Sequence, residues 1–439
     1  MTVYKLFVAI LLVPLVFMML SCGNNDGGDA VSSASYIRTQ LLGEKGTITQ
    51  AHSVITDSNG SVYVVGATTG NLDGNALSGY SDIFVSKFDA EGTKIYTKLF
   101  GYAGTVSVAY AITRDIKDNV YVVGYTDGSL NDSSLTGSQD AFIIKLNSEG
   151  IVQFTKQIGV IGKETRAYSV ATDTEDNIYM AGYTTGDLDG IQRTGIKNDF
   201  VAKLDSMGNA LFVLQHDVAL DTIGQAVAID SKSNIYVAGK TVGNMDGNSL
   251  NGNVDAYLTK YDSAGKRLFT KLIGGPGNWT WGYSLAVDSK DNVYFLGVDD
   301  GTLGEANWVH NMKHVFVAKY DEAGDELFTN YIGHPDFYTV SESLVIDSDD
   351  NVYVAGSAAG VLSQNPVNGG PDVFMAKYDS AGNFLYINQF GSEHGATYCK
   401  SITIDASNHV HVAGFTDGGL NGIELAGDID AYIQTFERF

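Results

Sequence analysis

The chain has 439 residues, with 51 acids against 27 Lys and Arg and a formal net charge of −24. A surface this acidic disfavours nucleic acid and anionic lipid headgroups, and leaves cations, basic protein patches and neutral glycans open as partners. Two cysteines, Cys22 and Cys399, exclude a disulfide-dense scaffold.

In chain order, residues 1–21 read as a lipoprotein-type signal peptide. Lys5 supplies the positive n-region, and Leu6 to Leu20 is an apolar run interrupted by Pro14. That run is short for a membrane span and ordinary for a signal core. Residues 22–34, "CGNNDGGDAVSSA", are Gly, Asn, Asp and Ser with little to bury, and read as a flexible tether.

From residue 35 to 439 one unit repeats. A glycine ending "YVVG" or a variant recurs at Gly66, Gly124, Gly182, Gly239, Gly297, Gly356 and Gly414. The intervals are 58, 58, 57, 58, 59 and 58 residues. A long period held this tightly means one supersecondary unit packed on copies of itself. The first copy has four apolar runs, "SVIT", "SVYVVGA", "DIFVSKF" and "KIYTKLF", each rich in β-branched and aromatic residues. The Asp, Asn and Gly of "DSNG" and "DAEGT" make tight turns between them. Each repeat therefore predicts four antiparallel strands, a to d from first to last. The expected fold is all-β, a seven-bladed β-propeller of four-stranded antiparallel blades.

The last blade needs its strand d from elsewhere. "YIRTQLLG", ending at Gly43, has strand d text and lies seven periods of 58 before the missing slot. An N-terminal strand completing the last blade would close the ring and cover its open edges. Strand d also ends on a glycine at Gly101, Gly159, Gly274, Gly333 and Gly391, with Asp217 as the departure.

Other residues recur in most copies. An acid opens strand c at Asp82, Asp140, Asp199, Asp255, Asp372 and Asp430, with His314 in its place in blade 5. Lys87, Lys145, Lys203, Lys260, Lys319 and Lys377 follow within that strand. Asp57, Asp115, Asp173, Asp230, Asp288, Asp347 and Asp405 sit at the a–b turns. Groups present in every blade point to blade architecture. A single site on one central axis would break the symmetry instead.

Two resemblances follow from these phrases. "DSNGSVYVVG", "DSKDNVYFLG" and "DSDDNVYVAG", with "DVFMAKYDSAG", resemble the SBBP repeat, a bacterial seven-bladed propeller repeat. That resemblance implies a propeller, and many members are lipoproteins or surface proteins. "MLSC" resembles the bacterial lipobox, although Met19 stands where Leu is preferred. It implies lipidation of Cys22, attachment to a membrane and residence in the cell envelope, at the outer membrane or cell surface. Cys399 then has no partner and reads as a buried free thiol.

The b–c loops and the d-to-a crossovers between blades share one face, and they vary while the opposite turns stay constant. Loops that vary on a fixed scaffold are where function sits. Blade 5 and its crossovers gather Trp279, Trp281, Trp308, His310, His334, Phe337 and Tyr338, with His394 one crossover further on. Large aromatic faces with polar handles suit a protein anchor or a sugar ring. The bland alternative is packing between crossovers. Asp73, Asp189 and Asp246, in "NLDG", "DLDG" and "NMDG", are weak calcium candidates, because the same text is ordinary turn chemistry. No other cofactor is expected, and no catalytic motif is visible. The sequence thus reads as an exported, lipid-anchored, monomeric binding or adhesion scaffold for a protein or glycan ligand. A carbohydrate-active enzyme on the same face, or an envelope-assembly scaffold, are the alternatives.

Overall fold

The computed structural model describes residues 35–192, 195–216, 218, 220–301, 313–363 and 369–438. Residues 1–34, read from sequence as signal and tether and including Cys22, lie outside them, as do Trp308, His310 and Asp217.

Among the described residues there are seven four-stranded antiparallel sheets, six of them with strands in chain order from inside to outside. Blade 1 is Thr49–Thr56, Val62–Thr68, Asp82–Phe88 and Lys94–Phe100. In the seventh, Thr397–Ile404, Val410–Thr416 and Asp430–Phe436 are joined by Tyr36–Leu42 as the outermost strand. The expected closure is therefore present. Strand a begins earlier than its apolar text suggested, because the crossover runs straight into it.

Strands b and c are buried almost throughout, as in Val62–Thr68 and Asp82–Phe88. Each blade is packed between two others, so both of its faces are interior and strict alternation is lost. Tyr63, Val65 and Ile83 of blade 1, for example, pack with Val120, Val122 and Phe142 of blade 2. Serines on the inner strands tie neighbouring blades together. The Ser169, Ser284 and Ser343 hydroxyls accept the backbone N–H of Val227, Leu344 and Ile402 in the following blade. Ser401 accepts that of Val54 at 3.2 Å, across the closing seam.

The recurring acids have structural work. Asp57 accepts the backbone N–H groups of Asn59 and Ser61, and pairs with Lys87 at 3.3 Å. Lys87 also donates to the Ser148 carbonyl of the next blade at 3.1 Å. Lys145, Lys260 and Lys319 repeat both bonds, so each lysine staples its own turn to its neighbour. Asp82 caps the b–c loop by accepting the N–H groups of Ser78 and Gly79. A Cβ on Gly101 would come within 1.8 Å of its carboxylate. The same fit joins Gly159 to Asp140, Gly274 to Asp255, Gly391 to Asp372 and Gly43 to Asp430.

Blade 3 corrects one assignment. Opposite Thr184, in the place Asp82 takes opposite Thr68, stands Asn198 and not Asp199. Asp199 is one residue on, and points to the other side of the sheet. There it accepts the Tyr257 hydroxyl at 2.6 Å and meets His216 Nδ1 at 2.6 Å. The Tyr261 hydroxyl meets His216 Nε2 at 2.8 Å. A buried polar cluster thus joins blades 3 and 4 where the other blades place apolar side chains.

Candidate functional site: the channel and its mouth

Every inner strand carries a one-residue bulge. The registers shift around His52, Tyr110, Tyr168, Gln225, Tyr283, Glu342 and Lys400. A bulge bends its strand and re-aims one side chain. Here the seven residues surround a cavity of about 340 Å³ on the axis, lined by residues from all seven inner strands. The motif glycine makes the bulge possible. A Cβ on Gly66 would lie 1.9 Å from the Gln50 carbonyl oxygen, and one on Gly182 would lie 1.8 Å from that of Arg166.

The ring is not symmetric. His52 and Tyr110 stack at 5.5 Å, and Tyr110 and Tyr168 meet at 5.0 Å. Lys400 pairs with Glu342 at 2.6 Å on the other side. Burial holds His52 below the usual histidine range, and its Nδ1 lies 2.7 Å from the Ala109 carbonyl oxygen.

Two residues before this ring, at the end of the inner strand that the crossover enters and that marks the channel mouth, the second residue of each inner strand is half-buried. Arg166 in blade 3 and Trp281 in blade 5 occupy this position. Trp281 is thus an inner-strand residue, and not part of the crossover as its text suggested. The Arg166 guanidinium lies 4.2 Å from the Tyr125 ring centroid and donates to Gln139 at 2.7 Å. Lys197 covers Tyr183 at 4.7 Å. Lys240 and Lys313 lie over Trp281 at 4.3 and 4.9 Å. Among the described residues, none of these four cations forms an ion pair within 4 Å. Burial first, and then the charge of Lys197, push the Lys240 ammonium below the ordinary lysine range. The buried Trp281 indole N–H also has no acceptor among the described residues.

The aromatic residues singled out by sequence divide. Trp279 and Trp281 are together, 6.5 Å between centroids, and with Val298, Asp300 and Lys313 they line a cleft of about 160 Å³. Trp279 is 49% exposed. His334 and Phe337 stack on each other at 4.7 Å in the next crossover. Phe337 also packs against Gly360, where a Cβ would meet its ring at 2.2 Å. His394 lies in a third crossover, where its N–H donates to the Ser392 hydroxyl. His314 opens strand c opposite Asp299 and is buried.

The calcium candidates lie in three different blades. Asp73 is held by Lys94 and by the Thr97 hydroxyl, both at 2.5 Å. Asp246 is held by Arg267 and the Thr270 hydroxyl. Asp189 sits at φ 54° in a short 3₁₀ turn. Among the described residues, no group of three or more acids, histidines or cysteines is placed to hold a metal ion.

Sequence reasoning missed the bulge ring and the four mouth cations. Their signal was in the period: His52, Tyr110, Tyr168, Gln225, Tyr283, Glu342 and Lys400 each stand fourteen residues before a motif glycine.

A family model described as a β-propeller repeat, SBBP, matches residues 37–73, 95–131, 153–189, 218–244 and 268–298. Five segments of the chain match SBBP propeller repeats. The chain is 22% identical, over 89% of its length, to an uncharacterized WD repeat-containing protein of Acanthamoeba polyphaga mimivirus. It is 25% identical, over 49% of its length, to the regulatory protein FlaEY of Caulobacter vibrioides. The alignments span 34% and 25% of those relatives' own lengths. Among solved structures, a chain from the mitotic checkpoint complex covers 98% of this chain, is itself covered completely, and gives a TM-score of 0.52 at 10% identity. That likeness concerns the fold alone.

Proposed function

We propose that this SBBP propeller is an exported binding scaffold that takes a macromolecular partner on the b–c and crossover face, at the channel mouth of blades 3 to 5. The carrying observation is the Trp279–Trp281 pair, with an exposed indole beside a cleft flanked by Lys240 and Lys313. Exposed aromatic area on a rigid ring is what an anchor for a protein or sugar surface requires. The body of the protein is held at the cell envelope by lipid on Cys22, reached through residues 22–34.

The face is tested with Trp279→Ala/Trp281→Ala in the full-length protein. Binding to extracellular proteins and glycans should fall at least tenfold while thermal unfolding stays within a few degrees. Retained binding in the folded variant would place the partner elsewhere. The anchor is tested by metabolic labelling with a palmitate analogue, which Cys22→Ala should abolish.

A further inference from the structure

The mouth carries a chemistry opposite to that of the whole molecule. With acids outnumbering cations nearly two to one, a Lys or Arg on this surface has carboxylates available. Lys94, Lys117 and Lys232 are each paired with an acid. Arg166, Lys197, Lys240 and Lys313 instead have aromatic faces beside them: Tyr125, Tyr183 and Trp281. Two of the nearby acids are engaged otherwise. Asp300 accepts the Trp279 backbone N–H at 2.7 Å, and Glu164 accepts the Tyr183 hydroxyl at 3.1 Å. Lys240 is half-buried, with Lys197 and Lys313 close enough to repel it and the Asp221 carboxylate attracting it from beyond ion-pair distance. Among the described residues one distant carboxylate faces three ammonium groups, and holding like charges together in this way costs stability unless a ligand supplies a further anion.

We propose that the channel mouth of blades 3 to 5 binds an acidic glycan, with a carboxylated or sulfated sugar bedded on Trp279 and Trp281 and its acid group taken by Lys240 and Lys313. This rests on the binding-scaffold reading above and adds the ligand class. The pairing of groups favours a sugar over an acidic peptide. Indoles match the apolar face of a pyranose ring, and flanking ammonium groups reach a substituent at its edge. The acidic remainder of the surface repels a polyanion everywhere else, so the ligand is steered to the mouth. Arg166, hydrogen-bonded among the tyrosines below, extends the same subsite toward the axial cavity.

The test is titration calorimetry on the full-length protein with an oligogalacturonate, its reduced neutral counterpart and oligoglutamate, in low salt and in 0.5 M NaCl. Oligogalacturonate should bind, weaken at least tenfold in high salt, and bind at least tenfold better than the other two. Lys240→Gln/Lys313→Gln should lose that preference, and Lys240→Arg/Lys313→Arg should keep most of it. The double Gln variant must retain the unfolding midpoint. If it does not, oligogalacturonate protection of the wild-type Trp fluorescence against iodide quenching decides. Equal binding of the neutral sugar, preference for oligoglutamate, or no oligogalacturonate binding overturns the acidic-glycan proposal. A partner that binds through Trp279 and Trp281 but ignores the lysines would overturn it too, while leaving the scaffold reading standing.

Discussion

Single residues in this ring act through what they exclude. Gly239 leaves room for the Ile223 carbonyl, which a Cβ would approach to 1.9 Å. Gly239→Ala should therefore cost about 1–3 kcal/mol, as overpacking does, with denaturant titration as the measure. Cys399 is buried, and burial pushes its thiol far above the usual range. It should resist iodoacetamide in the folded protein and react once the chain is unfolded. Two kinds of side chain make stability fall with acid. Burial, and then the charge of His334, lower His314 to about 4. Its contribution is complete above the ordinary histidine value of about 6.5, and is lost as pH falls from there through about 4. Burial opposes ionisation of Asp288, but hydrogen bonds from Asn292 and Lys319 outweigh it and hold the carboxyl below its usual range. That contribution is complete above a pH of about 4 and disappears below it. Thermal midpoints should thus drop in two stages between neutral pH and pH 3, and His314→Gln should shrink the first. A midpoint that is flat down to pH 5 in the wild type would contradict the His314 assignment.

At the scale of the element, the blade was legible and its bulge was not. The apolar runs and the turn acids named four strands per copy, and the seven-period offset from Gly43 named the closing strand. The pairing of Tyr36–Leu42 with Asp430–Phe436, and the seat of Gly43 against Asp430, give that offset its physical meaning. Deleting residues 35–43 should lower the unfolding midpoint of the whole ring by more than ten degrees. Gly43→Val should do the same in part, since its Cβ would fall 1.7 Å from the Asp430 carboxylate. An unchanged midpoint in the deletion would refute closure. A bulge, in contrast, has no composition of its own, and register is not written in residue types. Trp281 therefore read as loop, because its neighbours "GNWTWGY" are turn-like. Asp199 read as the acid that opens strand c of blade 3 because Asn198 and Asp199 are adjacent and only strand pairing separates them.

Across the whole molecule, regular and irregular parts occupy opposite ends of the channel. The a–b turns share one construction, an acid accepting backbone N–H groups, with a stapling lysine in most blades. The mouth varies from blade to blade: Gln50, Val108, Arg166, Ile223, Trp281, Val340 and Tyr398 take equivalent places, and only blades 2 and 6 share a residue type. The cationic arc was invisible in the sequence because it is assembled from three blades, at positions 166, 197, 240 and 313. Net charge, summed over the chain, hid it. With the rest of the surface acidic, duplex DNA should show no retardation by the protein at physiological salt. A shifted band at micromolar protein would mean that the arc is larger than these four cations.

The bulge has one more consequence, for how such a protein can change. The direction of the side chain it turns toward the axis is set by backbone geometry and by the glycine on the paired strand, whatever that side chain then packs against. Seven positions on seven inner strands can therefore be exchanged while the hydrogen-bonded frame stays intact. A duplicated blade arrives with its axial residue already aimed and free to diverge. New selectivity can then arise by single substitutions on an old fold, without passing through an unfolded ancestor.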